Sequence, residues 1–172
     1  MDEQMKEYIG TKGLMAKPMN KEDYNALRGW PMPEGEDPKE EGYLVEYLDG
    51  GKPNHPDYGG YISWSPKDVF EAAYQPITAM SYGHAQLMAM SGKKIARAGW
   101  NGKSQFVAYG HGTKNLPAEK FWIPANREFA EQNGGSADVL PYFTMKNAQG
   151  QILMGWTPTA SDALANDWMV VP

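Results

Sequence analysis

Arg97 stands three residues before Trp100, and Trp100 abuts Asn101-Gly102. Asn-Gly is the strongest short hairpin signal, because a type I′ turn needs positive φ at both central residues. Hairpin tips are normally polar, so a large ring there serves either as core or as a stacking surface. Trp156 raises the same question, since it too ends a predicted strand beside turn and cap residues, where loops present side chains to ligands. Phe106, Tyr109, Phe121, Trp122, Tyr142, Phe143 and Trp168 complete an aromatic-rich second half. Stacking of a nucleobase on an aromatic contributes about 1–3 kcal/mol. Core packing accounts for Trp100 and Trp156 equally well, and it is the commoner role for the other rings. Ser161 and Asp162 lie at a predicted helix start. They read either as cap residues or as part of an N–H array that accepts a phosphate or ribose hydroxyl.

Other chemistry is weakly signalled. His55, His84 and His111 have no metal-ligand spacing, no phosphate-binding loop pattern occurs, and the carboxylates pair with no recognisable base or nucleophile. The chain has no cysteine, which removes disulfides and thiol chemistry. The expectation is a non-enzymatic binding protein with no catalytic residue, metal or cofactor. The alternatives are an enzyme that degrades a nucleotide and a structural or protein-interaction module.

The elements that position these residues divide at about residue 75. Residues 1–75 hold 8 Lys+Arg against 15 Asp+Glu, and residues 76–172 hold 8 against 6. An anionic ligand therefore meets the second part more readily, although no basic stripe suited to a nucleic-acid polymer is present. No apolar run is long enough to span a bilayer and the start is charged, so a soluble cytoplasmic protein is expected. The first part reads as a small acidic α+β domain. It has a helix capped by Asn20 and stopped by Gly29, strands in GYLVEY and GYISW, and a helix opened by Ser65-Pro66 that ends near Tyr74. The second part reads as short helices with antiparallel hairpins: a helix after Ser81, the hairpin KKIARAGW/KSQFVAYG, a second hairpin YFTMK/QILMGW, a Thr159-capped helix and a terminal DWMVV strand. Residues 110–141 read as a long connection with a helix in ANREFAEQN. The fold class is α+β.

A two-residue loop at Asn101-Gly102 pairs Trp100 with Lys103 and puts Arg97 on the opposite face. Arg97 and Trp100 then share one pocket only if a bulge re-aims one of them, or if subunits share the pocket. Ala96 and Ala98 leave room beneath Trp100 for a flat ligand.

Three ordered blocks, GKKIARAGWNGK, PYFTMKNAQGQILMGW and SDALANDWMVV, resemble the second phage anti-defence family directed against Thoeris immunity, over about residues 80–172. The resemblance implies a compact α+β, homotetrameric sponge in the cytoplasm of the infected bacterial host. Such a sponge binds a cyclic ADP-ribose-type signal without cleaving it, and some relatives take cyclic dinucleotides. By motif it implies Arg97 facing phosphate, Trp100 and Trp156 flanking adenine or ribose, Asn101 hydrogen-bonding the ligand, and Ser161 and Asp162 holding ribose hydroxyls or phosphate. Residues 1–75 lie outside the resemblance, and their role is open.

Overall fold

The structure, a computed structural model, describes residues 5–172 and divides into two units, Met1–Tyr74 and Gln75–Pro172. Among the described residues it holds helices and antiparallel sheets, an α+β fold.

The first unit is a three-stranded antiparallel sheet of β1 (Met15–Pro18), β2 (Gly42–Tyr47) and β3 (Tyr61–Pro66), with β2 in the centre. Helix α1 (Lys21–Arg28) starts where expected, because Asn20 accepts the Asp23 N–H at 2.8 Å, and it ends at Gly29 with φ 67°. Tyr24 of α1 packs with Leu44 and Ile62 to form the core. Helix α2 (Lys67–Ala73) begins one residue later than the Ser-Pro signal suggests. Pro66 occupies the cap position, and Ser65 is still paired in β3 with Tyr43. The strand ladder takes precedence over a cap there.

The second unit is built on a five-stranded antiparallel sheet in the order β10-β4-β5-β8-β9. Its strands are β4 (Lys94–Arg97), β5 (Phe106–Gly110), β8 (Tyr142–Lys146), β9 (Ile152–Met154) and β10 (Trp168–Val171). Helix α3 (Tyr82–Met90) covers one face through Ala85 and Ala89, both fully buried, whose small side chains let the helix approach Ile95 and Val107. Trp168 and Met80 complete this core. The Ser81 side chain does not cap α3; its hydroxyl meets His84 Nδ1 at 2.9 Å. Helix α5 (Ala160–Ala163) opens with a full capping box between Thr159 and Asp162, as the spacing predicts.

Two expectations are corrected. Residues 110–141 are not an open connection. They form a two-stranded sheet of β6 (Thr113–Pro117) and β7 (Ser136–Val139), joined through a 3-10 turn (Ala118–Lys120) and helix α4 (Pro124–Gln132). The first hairpin is also not closed by a two-residue turn. Ile95 pairs with Val107, one residue out of the register that an Asn101-Gly102 turn would set, and residues 98–105 leave the sheet. Ser104, at φ 56°, supplies the left-handed residue, and neither Asn101 nor Gly102 has positive φ. A loop of this length needs no type I′ geometry at its tip.

Candidate functional site

Two of the sequence-derived residues, Arg97 and Trp100, converge on the carboxylate of a third, Asp162. Asp162 Oδ1 accepts from Arg97 Nη1 at 2.9 Å and from Trp100 Nε1 at 3.2 Å. Its Oδ2 accepts from the Thr159 N–H at 3.2 Å and the Thr159 hydroxyl at 2.7 Å. The Asp162 carbonyl accepts Trp168 Nε1 at 2.9 Å. Arg97 Nε donates to Asp167 Oδ1 at 2.8 Å, and Asp167 Oδ2 accepts the Gly99 N–H at 2.8 Å. The irregular loop that begins at Ala98 brings the Trp100 indole to the carboxylate that holds Arg97, which a regular hairpin forbids.

Electrostatics follow from this packing. Burial pushes the Asp162 carboxyl up, but hydrogen bonds from Thr159, Arg97 and Trp100 outweigh it and hold the group below the usual carboxylate range. Asp167 is lowered mainly by its bond to Arg97, and the Arg97 guanidinium is raised by Asp167 and then Asp162. One cation between two anions leaves the cluster with net negative charge. Arg97 is thus committed to two partners at a largely covered position (side-chain exposure 19%) and has no charge to spare for a ligand.

The remaining expected residues take other roles around this cluster. Trp156 is core, 8% exposed, edge-on to Trp100, Phe143 and Trp168 at centroid distances of 6.3–6.4 Å. Ser161 is exposed at the edge of the cluster, where its hydroxyl meets the Thr159 hydroxyl at 2.9 Å and its carbonyl accepts from Arg97 Nη1 at 3.5 Å. Asn101 is exposed on the loop.

A cavity of about 600 Å³ opens on the sheet face opposite α3. Ala96, Ala98, Met169 and Val171 are among its apolar lining residues, and Arg97, Trp100 and loop residues Gly102, Ser104 and Gln105 also line it. Lys94, Phe106 and Lys146 complete the chemistry: three cationic side chains line the cavity, Pro172 closes one side of it, and no acidic side chain lines it. The room comes from Ala96, which sits in a cross-sheet row between Met169 and Phe106. The sequence pattern placed Phe106 among the candidate stacking rings but did not single out Lys94 and Lys146. The signal was the alternation of KKIARA and YFTMK, which puts these side chains on the face away from Ile95, Val107 and Met145.

A second cavity of about 620 Å³ lies where α4 and β7 meet the end of β9, and it is mostly apolar, with Phe121, Trp122, Phe129 and Met154 in its wall. Among the described residues no cluster has the makings of a metal site, and no helix is long and apolar enough to cross a membrane.

The second unit is thus a small α+β domain that shelters a basic cavity on one face of its five-stranded antiparallel sheet. Its residues 80–171 match the family of Thoeris anti-defense 2-like domains, and the chain belongs to that family. Thoeris anti-defense 2 of Bacillus phage SP01 is 30% identical to it over 94 residues, which cover 55% of this chain and 97% of that protein. Membership supports a phage anti-defence role against Thoeris. The first unit lies outside the match.

Proposed function

We propose that the protein binds and sequesters, without cleaving, a cyclic ADP-ribose-type immune signal, and so keeps the Thoeris effector unactivated. Cyclic dinucleotides are the next ligands to try. The observation that carries this reading is a cavity lined by no acidic side chain, where cations and the Phe106 ring stand over an alanine floor. A nucleotide needs these partners: positive charge for phosphate and an apolar flat surface for a base. The Arg97–Asp162–Asp167 cluster has a positioning role, fixing the Trp100 end of the loop that walls the cavity.

The second cavity supports a homo-oligomer, with a tetramer as the expected order. Around it Trp122 is 75% exposed, Phe129 60% and Leu153 55%. Strand β9 is an open sheet edge with apolar side chains, a surface that proteins normally cover. A sponge must bind more tightly than the effector it starves, and nanomolar affinity corresponds to about −12 kcal/mol. An open cavity reaches that more easily when a second subunit closes it.

The test is calorimetric titration with glycocyclic ADP-ribose, followed by heat release and chromatography of the ligand. Tight binding with intact ligand recovered supports sequestration. Altered ligand would replace it with an enzymatic reading, and no binding to this ligand or to a cyclic dinucleotide panel would remove it.

A further inference from the structure

We propose that Lys94 and Lys146, bracketing Phe106, are the anion-reading residues of the sheet cavity, and that they take the diphosphate, or two separate phosphates, of a ligand whose flat ring meets Phe106. The pair refines the sequestration reading and rests on it for the natural ligand, but its anion chemistry is testable separately.

The three residues sit on adjacent strands. Phe106 of β5 is directly opposite Lys146 of β8, and continuing the Ile95–Val107 register puts Lys94 of β4 diagonal to Phe106 on the same face. Two strand spacings and a two-residue offset separate the lysine Cα atoms by roughly 12 Å. Each side chain can extend or fold back by several ångströms, so the two ammonium groups can grip a diphosphate together or two phosphates separately.

Availability distinguishes them from Arg97. Lys94 makes no ion pair among the described residues, and its Nζ rests 5.4 Å from the centre of the Phe106 ring. A cation–π contact at a partly exposed site is weak, and a phosphate replaces it with a stronger charge-assisted bond. Lys146 Nζ donates to the Ser104 carbonyl at 3.0 Å, a neutral acceptor that leaves its charge uncompensated. Arg97, by contrast, would have to abandon two carboxylates. Lys146 has a second consequence: its bond to Ser104 ties down the end of the cavity loop opposite Trp100. A phosphate drawing Lys146 away loosens that end, so the loop registers occupancy.

The test uses the full chain and inorganic pyrophosphate, followed by NMR. The expected result is saturable shifts at Lys94, Phe106, Lys146 and Ser104. Affinity should fall about tenfold or more in K94Q and in K146Q, as expected for loss of a charge-assisted hydrogen bond, and K146R should recover much of it. Recovery by arginine separates charge reading from a merely structural tie, and an unmoved Trp100 indole N–H signal in K94Q reports an intact fold. Absence of shifts, shifts centred elsewhere, or a K94Q/K146Q double variant that binds like the wild type would overturn the proposal. If pyrophosphate binds at these lysines but no cyclic nucleotide does, the anion site stands and sequestration fails. If glycocyclic ADP-ribose binds the double variant undiminished, sequestration stands and the lysine assignment fails.

Discussion

Asp162 accepts four hydrogen bonds through its carboxylate and two more through its carbonyl, from Trp168 Nε1 and the Ala165 N–H, so it joins β4, the loop after it, α5 and β10. Its replacement by alanine strands the Arg97 guanidinium beside Asp167 alone and removes half of the capping box. The expected cost is about 3 kcal/mol, near the lower end for breaking a buried pair, and D162N should cost less because its carbonyl still accepts. Chemical denaturation of the three proteins reads this out. The pH dependence has a fixed sign. Asp162 and Asp167 both titrate lower folded than unfolded, so their stabilisation is complete above the unfolded carboxylate value, about 4. It is lost as pH falls through the lower folded values. Melting temperatures should therefore be flat near neutrality and drop below about pH 4, with a shallower drop in D162N. Trp156 and Trp100 should part company in the same assays. W156A empties a core position and should cost about 3–5 kcal/mol. W100F keeps a ring in place and loses one hydrogen bond, about 1–3 kcal/mol.

At the scale of elements, the loop from Ala98 to Gln105 is where sequence pattern and structure diverge most. Asn-Gly chemistry predicts a two-residue turn, yet Ser104 carries the left-handed conformation and the Ile95–Val107 register follows. Tertiary bonds decide the outcome: Asp162 takes the Trp100 indole and Asp167 the Gly99 N–H, and both bonds draw the chain out of the ladder. Asn101→Ala should consequently change stability by less than about 0.5 kcal/mol, as at ordinary surface positions, whereas a type I′ turn would suffer. Gly99→Ala should cost more, because a Cβ there would come within 2.8 Å of Asp167 Oδ2 and push it from the Gly99 N–H. Thermal melts of both variants separate the two geometries. The α1 caps, the Thr159 capping box and the alternating core strands were legible because each depends on neighbours in sequence. The β6–β7 sheet was not, since TKNLP and SADV lack alternating apolar residues and pair across an intervening helix. For the same reason the site was half legible. Arg97 and Trp100 were found from local spacing, while Lys94, Phe106 and Lys146 come together only through the β4–β5–β8 register.

At the scale of the whole molecule, the second unit has two unlike surfaces, and they should respond to different perturbations. The basic cavity acts through charge, so salt should weaken pyrophosphate binding there. The surface around Trp122, Phe129 and β9 acts through apolar area and should be insensitive to salt. Along β9, Asn147 and Gln151 share a ladder bond, so alternation directs the Leu153 backbone toward β8 and leaves the N–H and C=O groups of Ile152 and Met154 at the open edge. An edge with free backbone groups and apolar side chains is a template for pairing. Its remedies in nature are charge or coverage. Leu153→Lys adds charge at the edge, and Phe129→Glu adds it beside the second cavity. Neither residue is buried in the single chain (55% and 60% exposed), so neither change should lower the melting temperature of a monomer by more than a degree or two. If the surface joins copies of the chain, light scattering should show the wild type as an oligomer and the double variant as a smaller species, with pyrophosphate shifts at Lys94 and Lys146 retained. A wild type that is monomeric at all concentrations would rule out this surface as a self-interface. An oligomer unchanged by both substitutions would move the interface elsewhere on the chain.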